Sequence, residues 1–314
     1  MRIAVTGGAG YIGSTIIKNL LANDHEVVSV DDLSIGDYRY LRALKANGLR
    51  LLEGDIRNAK ILDKTFKGVD AVAHLAAIAG LDSCNDDPEA AVSVNIFGTH
   101  QVLESAKRLG ISRVIFCSSA AVYGVPMKMP VSEDHHLRPL NLYGITKLTG
   151  EKLMETYHDC HGMETVNLRF GNVYGVGLYS HWSTVIPKFV KLGLEGKPLT
   201  IYGDGKSSRD FVHVEDISQA LELALTVEGI GGEAFNVGST PTTIGDIAKL
   251  VTEEIKNKTR KEVETIYLPI RPGETKEFSY NLKKIKKILG FEPTWTLRKG
   301  IKQLVEFNLK KKAE

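Results

Sequence analysis

Short apolar runs alternate with longer amphipathic ones over the first half of this chain. Runs at residues 2–6, 26–30, 49–53, 71–74, 113–117 and 164–169 predict strands; the first is short and rich in β-branched residues, as a buried strand should be. Helical spacing follows the first strand, with Ile12, Ile16, Ile17, Leu20 and Leu21 on one face, and longer helical patterns cover 88–109 and 141–161. Strand and helix patterns in alternation predict an α/β fold built on a doubly wound parallel sheet. Beyond residue 170 the rhythm loosens, with helical patterns at 184–194, 215–226, 244–256, 282–289 and 297–309 and strands at 199–202 and near Phe235. The expected division is a sheet domain over 1–171, with parts of 214–256 returning to it, and a smaller α/β C-terminal domain over 172–314.

Bulk properties narrow the picture a little. A chain of 314 residues can bury a substantial core. A net charge of +2 and a pI near 8.2 supply no general drive toward nucleic acid. Cys84, Cys117 and Cys160 are odd in number and lack a C-x-x-C pair, which predicts reduced thiols rather than a disulfide framework or a cysteine zinc site. No stretch approaches a membrane-spanning length, so a soluble cytoplasmic protein is expected. His135, His136, His158 and His161 lack the spacing of a metal-ligand set, and no metal is expected.

The chemistry gathers first where the opening strand turns into a helix. Gly8, Gly10 and Gly13 form G-x-G-x-x-G, which lets the backbone turn sharply, approach a ligand closely and pack helix against strand. Unpaired amides at that helix start suit a pyrophosphate. A phosphate-loop NTPase would need Gly-Lys-Ser/Thr, but Ser14 follows Gly13 directly. The second strand ends at Asp31, where an acid can accept from an adenosine ribose, and an acid there favours NAD over NADP. Asp55 reads equally as an acceptor for an adenine amino group and as a cap for the helix beginning near Asn58. His74 alone is better read as a satisfied core histidine than as a catalyst. The small residues of the His74-Leu75-Ala76-Ala77 run would let backbone lie against a flat cofactor.

Further along, the fifth strand delivers Ser118 and Ser119 to the carboxyl edge of the sheet, where open α/β sheets bind ligands. Tyr143 and Lys147 lie four apart on one helical face. A phenol of ordinary pKa is a poor base at neutral pH; lowering it by roughly 3 units corresponds to about 4 kcal/mol, within reach of a lysine ammonium and a cationic nicotinamide in a partly dry site. Arg209 and Arg271, both in glycine-containing loops, are candidate diphosphate ligands.

Taken together, TGGAGYIGS at 6–14, Asp31, Gly54-Asp55-Ile56, HLAA at 74–77, CSSAAVYG at 117–124, YGITK at 143–147, GDGKSSRDFVHVEDI at 203–217 and RPGE at 271–274 resemble the extended short-chain dehydrogenase/reductase family. Within it, the chain is most similar to NAD-dependent nucleotide-sugar epimerases and dehydratases. The resemblance implies a Rossmann-type sheet followed by a substrate (nucleotide-sugar) domain. It implies NAD held by Gly7, Gly10, Tyr11, Ile12 and Gly13 at the pyrophosphate, by Asp31 and Asp32 at the ribose, and by Asp55 and Ile56 at the adenine. Leu75, Ala76, Ala77, Asn95, Tyr143 and Lys147 would complete the cofactor site. Tyr143 would be the base, Lys147 its pKa-lowering partner, and Ser119 a hydrogen-bonding partner for the reacting oxygen. Asn172, Val185, Tyr202, Arg209, Arg271 and Glu274 would bind a UDP-sugar, Glu274 at the uridine ribose.

The implied reaction is C4 epimerisation of a UDP-hexose through a 4-keto sugar and transient NADH, and the implied assembly a homodimer. Decarboxylation or epimerisation of a UDP-uronic acid is the alternative, and a non-catalytic NAD-binding sensor a more distant one. Three departures bear on these readings. Ala120 and Ala121 stand where dehydratases of the family carry the acids that protonate a leaving hydroxyl. Ile78-Ala79-Gly80 replaces a lysine that touches the cofactor phosphates in some epimerases. Phe278 is bulky at a position that affects tolerance of N-acetyl sugars, which favours plain hexoses.

Overall fold

The computed structural model describes residues 1–177, 184–269 and 277–313. In chain order the elements are β1 (Arg2–Thr6), α1 (Tyr11–Ala22), β2 (Glu26–Asp31), α2 (Arg39–Ala43), β3 (Leu49–Glu53), α3 (Ala59–Phe66), β4 (Ala71–His74), α4 (Leu81–Asp86) and α5 (Pro88–Val92). A π-helical turn (Ser93–Gly98) leads into α6 (Thr99–Arg108), then β5 (Arg113–Ser119), α7 (Leu142–His161), β6 (Glu164–Phe170), β7 (Asn172–Tyr174) and α8 (Val185–Leu194). Then come β8 (Leu199–Tyr202), β9 (Ser208–His213), α9 (Val214–Thr226), β10 (Ala234–Val237), β11 (Thr240–Thr243), α10 (Ile244–Thr259), β12 (Thr265–Leu268), α11 (Lys283–Leu289) and α12 (Leu297–Ala313).

Seven strands form one sheet in the order β10-β6-β5-β4-β1-β2-β3, every neighbour parallel. The order reverses between β1 and β4, so ligands are expected outside the carboxyl ends of those strands. Although the strands read as continuous apolar runs, the pleat sorts them. Ile3, Val5 and Val27 enter the core on the α1 and α9 face, while Ala4, Val28 and Val30 enter the one beneath α3, α6 and α7. Helix α9 is tied to α1 by Glu215, which accepts from Lys18 and Asn19, and by Glu222, which accepts from Asn23. β11, β9 and β7 form a small mixed sheet, and β12 pairs with β8. These strands cover a third core of Ile186, Phe189, Leu199, Ile201, Phe211 and the inner faces of α10 and α12.

The long helical pattern at 88–109 contains the π-helical turn, a device that recurs at functional sites. Gly98 lies at its end, and a Cβ there would stand 2.5 Å from Ile56 Cδ1, so the turn closes tightly on the loop after β3. α2 and α4 had no counterpart in the periodicity; they are five and six residues long, too short to establish a helical period. Among the described residues, no helix is long and apolar enough to cross a membrane.

Candidate active site

The turn after β1 is shaped by contacts only glycine tolerates. Gly7 has φ +75°, and a Cβ on it would lie 2.7 Å from the Ala76 nitrogen. A Cβ on Gly13 would lie 2.2 Å from the Gly7 carbonyl oxygen, so α1 begins hard against the strand it follows. Gly10 differs: its nearest neighbour would be 3.5 Å away, and it caps α1 with no side-chain hydrogen bond. The start of α1 therefore carries no side chain on its capping residue and opens from a turn with glycine at 7, 8, 10 and 13, which fits a pyrophosphate.

Asp31 ends β2 in the same cleft. Its Oδ2 accepts from the Ala9 amide at 2.9 Å and its Oδ1 from the Leu33 amide at 2.9 Å, and burial pushes its pKa up. Each oxygen retains acceptor capacity for a ribose hydroxyl. Asp32 is exposed and turns to Ser34, whose hydroxyl donates to it at 2.6 Å. Across the cleft the Thr6 hydroxyl accepts from the Leu75 and Ala76 amides at 3.2 Å each, which lays the 75–77 backbone beside the glycine turn. This arrangement fits NAD.

Two cofactor candidates have other engagements. Asp55 does not cap a helix: Asn58 caps α3, its side chain accepting from the Lys60 amide at 3.0 Å, while Asp55 pairs with Arg57 at 2.5 Å. The guanidinium holds this carboxyl below its usual pKa range. Asn95 is buried; it accepts from the Ile78 amide at 2.8 Å and donates to the Ile78 carbonyl at 3.0 Å and to Thr146 Oγ1 at 3.0 Å. Its amide thus joins the π-helical turn to the segment after Ala77 and to α7 instead of reaching into the cleft. Ile56 is buried against Gly98.

His74 is the satisfied core histidine that the sequence suggested. Thr99 Oγ1 donates to the Asn95 carbonyl at 2.6 Å and so accepts from His74 Nε2 at 2.9 Å, leaving Nδ1 to accept from Thr6 at 2.7 Å. Burial lowers its pKa to about 3, so the imidazole stays neutral.

The chemical groups sit where β5 meets α7. Asn141 caps α7 by accepting from the Gly144 amide at 2.9 Å, and a Cβ on Gly144 would stand 2.6 Å from the Ala121 carbonyl. These contacts bring the first turn of α7 onto the short turn after Ser119, whose hydroxyl accepts from the Ala121 amide at 3.2 Å and lowers the pKa of the nearby Tyr143 phenol. Lys147 is buried. Its Nζ donates to the Cys117 carbonyl at 2.7 Å and lies 4.8 Å from the Phe116 ring centre and 5.9 Å from that of Tyr143.

The expected lowering of the Tyr143 pKa by Lys147 is not a property of the chain by itself. Burial pushes the phenol up to about 12, and the Ser119 hydrogen bond opposes this only in part. Burial also lowers Lys147 to about 8. The desolvation that would strengthen a charge pair here first penalises both charges.

The substrate candidates are scattered over the smaller sheets. Asn172 opens β7, faces Phe211 of β9 in register, and donates to the Asp210 carbonyl at 3.4 Å. Arg209 precedes it on β9 and donates to the Ser208 carbonyl at 2.8 Å. Val185 begins α8, and Tyr202 ends β8. Arg271 and Glu274 lie outside the described residues. Phe278 is buried with Val122, Tyr123, Val131 and Tyr280.

Asp210 escaped the sequence reading. Fully buried, it accepts from the Ser239 amide at 2.7 Å and the Tyr280 amide at 3.1 Å, joining three chain segments at one carboxylate. Burial raises its pKa to about 6. The neighbouring Arg209 was the signal, but an acid in an Arg-Asp pair reads as a surface charge until the fold buries it. Among the described residues, no group of three or more His, Cys, Asp or Glu side chains could hold a metal ion.

Comparison with known proteins gives these geometries a context. Residues 3–238 match the NAD dependent epimerase/dehydratase family. The chain is 34% identical over 309 residues to a putative UDP-glucose 4-epimerase of Methanocaldococcus jannaschii, covering 97% of each chain. A UDP-glucose 4-epimerase of Thermotoga maritima, solved with UDP-glucose, is 32% identical with a TM-score of 0.89 over 100% of both chains. A UDP-glucuronic acid 4-epimerase of Bacillus cereus, solved with UDP-glucuronic acid and NAD, is 33% identical with a TM-score of 0.89 over 99% of both chains.

Proposed function

The chain belongs to the NAD-dependent epimerase/dehydratase family, and we propose that within it the protein is a nucleotide-sugar C4 epimerase of the UDP-glucose 4-epimerase type, interconverting UDP-glucose and UDP-galactose. The observation that carries this reading is the conjunction of Ser119, Tyr143 and Lys147 at one strand end with Ala120 and Ala121 immediately beyond. The trio can take and return a hydroxyl proton, while the two alanines supply no acid to expel a hydroxyl as water. Phe278, bulky at the position whose size bears on tolerance of N-acetyl sugars in relatives, favours plain hexoses.

Gly7, Gly10, Tyr11, Ile12, Gly13 and Asp31 would hold NAD, with Leu75, Ala76 and Ala77 along its flank. When bound, NAD supplies a reversible hydride acceptor and a positive charge on its nicotinamide. The chain's part is proton management. Ser119 hydrogen-bonds the phenol and stabilises phenolate, Lys147 contributes a cation from one turn further along α7, and Tyr143 as phenolate accepts the proton of the C4 hydroxyl and later returns it to a 4-keto sugar. Asn172 and Arg209, with Arg271 and Glu274, would anchor the nucleotide away from the reacting carbon, so the sugar can turn while its handle stays fixed.

Incubation of purified protein with UDP-galactose or UDP-glucose, with no added oxidant, should interconvert them. Absence of interconversion together with carbon dioxide release from UDP-glucuronate, or with epimerisation of that uronate alone, would overturn the hexose assignment. We place the protein in the cytoplasm, where the free thiols of Cys84, Cys117 and Cys160 would persist. We also infer a homodimer in which a second copy covers the exposed Val92, Phe97 and Ile145 on adjoining helical segments. A monomeric mass in sedimentation at micromolar concentration would contradict it.

A further inference from the structure

Beneath the Ser119, Tyr143 and Lys147 group lies a buried polar assembly that the proposed chemistry leaves unused. Tyr143, Lys147 and Glu151 are spaced by four on α7 and form one stripe along the helix. Glu151 is 4% exposed and Arg169 5%. Arg169 lies opposite Ser118 in the β5–β6 register, one residue before the Ser119 pairing. Its guanidinium grips Glu151 through Nη2 at 2.7 Å and Nε at 3.0 Å, and the Ser118 hydroxyl donates to the same carboxylate at 2.5 Å.

The connections continue away from the helix. Arg169 Nη1 donates to the Tyr123 hydroxyl at 2.7 Å and to the Glu133 carbonyl at 2.9 Å. Tyr123 donates to Asn236 Oδ1 at 2.6 Å, and Asn236 Nδ2 donates to the Val131 carbonyl at 3.0 Å. The Val131 amide donates to the Ser279 carbonyl at 2.8 Å, and its carbonyl also accepts from the Asn281 amide at 2.8 Å. One set of hydrogen bonds thus runs from the helix of the candidate base, through three strands of the main sheet, to the segment carrying Phe278 and Tyr280.

A buried ion pair is poor evidence for stability, because well-packed apolar residues often serve as well. What the guanidinium fork adds is direction: two parallel bonds fix the rotation and height of the carboxylate's helix as packing alone does not. Along the helix face that carries Tyr143 and Lys147, Glu151 is the carboxylate. Cys84 on α4 and Cys117 on β5 are thiols that burial pushes up, and His74 on β4 is held neutral. Glu151 lies one turn beyond Lys147 on the same face of α7, with Arg169 fixing its place.

We infer that Glu151, clamped by Arg169 and Ser118, is a positioning residue that sets where the Tyr143 phenol and the Lys147 ammonium stand relative to Ser119, and that Tyr123 and Asn236 couple this setting to residues 279–281. The inference rests on Tyr143 being the base.

The test compares wild type with E151Q, R169K and the double variant E151L/R169L, using two readouts. One is kcat against KM for UDP-galactose. The other, independent of turnover, is the titration of Tyr143 in NAD-saturated protein, read as phenolate absorbance relative to Y143F. The double variant should melt close to wild type, lose at least 30-fold in kcat with KM within threefold, and shift the Tyr143 titration upward by at least half a pH unit. R169K, which keeps the charge and loses the fork, should lose about tenfold in kcat. A folded double variant with wild-type kcat and an unmoved titration would reduce the pair to packing and overturn the inference. Should the double variant not fold, S118A removes a single bond of the clamp, and an unchanged kcat and titration in S118A would be equally fatal. If wild type turns over no nucleotide sugar yet the titration still moves in E151Q, the proposed function fails and the positioning role stands.

Discussion

The cofactor half and the substrate half of this molecule hold their polar groups by different means. Around the glycine turn the positions are set by backbone: Gly7 against Ala76, Gly13 against Gly7, and amides of residues 9, 33, 75 and 76 bonded to Asp31 or Thr6. In the substrate half, Asn172 and Arg209 sit on the paired strands β7 and β9, and the side chain of Asp210 ties β9 to amides 29 and 70 residues further along the chain. A cradle built from adjacent backbone is shaped before anything binds. A joint built from one buried carboxylate depends on that group staying in place. The difference suits a protein that keeps one ligand in a fixed bed while another enters, turns and leaves.

The sharpest break with this contrast would come at Tyr143, where the two halves meet. Tyr143→Phe should reduce kcat by about 1000-fold, roughly 4 kcal/mol, while NAD binding measured by fluorescence stays within threefold. A rate within tenfold of wild type would displace Tyr143 as the base.

Acidity probes both halves together. His74 is lowered to about 3 in the cofactor half and His213 to about 4 in the substrate half, where it stacks on Trp295 at 3.9 Å and bonds Gln303 at 3.1 Å. Both are depressed mainly by burial, so the unfolded chain binds their protons more readily. Their stabilisation is complete above about pH 6.5 and is lost as pH falls toward 4. Each should cost about 3 kcal/mol over that window, read by urea unfolding at pH 7, 5.5 and 4.5. Asp210 works in the opposite sense: its pKa is raised to about 6, so its contribution is full at low pH and declines as pH rises from about 4 through 6. His213→Gln should flatten the acid slope of wild type, and an unchanged slope would remove His213 from the account.

Arg209→Ala should lower kcat/KM about 30-fold, roughly 2 kcal/mol, and act mainly through KM, as loss of a charged anchor remote from the reacting carbon should. A fall confined to kcat would instead place Arg209 at the chemistry. The smallest effect is expected in the rigid bed: Asp31→Asn should weaken NAD about tenfold, near 1.4 kcal/mol, because the Leu33 bond can persist on the amide oxygen. Calorimetric titration showing no change would deny Asp31 its ribose.

Much of the cofactor half was legible in the chain because its determinants are local. The glycines, Asp31 and the Tyr143/Lys147 pair sit at spacings set by one turn, one strand end or one helix face, so the sequence pattern exposes them. Asp55 and Asn95 show where this stops. Both have the residue type a ligand contact requires, and both also bond within the protein, Asp55 to Arg57 and Asn95 to Ile78, partners that nothing in the local pattern announces. Glu151 was within reach, since it continues the four-residue spacing of Tyr143 and Lys147; its meaning came only with Arg169 on another strand. How far Lys147 acts on Tyr143 is hidden from the sequence for a related reason. Spacing places the two on one face but says nothing of how deeply both are buried, and burial dominates the phenol.

By itself the sequence determined the alternation of strands and helices in the first half of the chain, the glycine turn that requires backbone without side chains, and the stripe of Tyr143, Lys147 and Glu151 on one helix. These follow from periodicity and from steric limits that operate over a few residues. Tertiary structure alone decided which polar groups remain available to a ligand and which are consumed internally, and how far desolvation moves each titration. Those outcomes depend on partners such as Asp210 with Tyr280 and Glu151 with Arg169. Such groups are distant along the chain, and only the packed sheet and its covering helices remove them from water together.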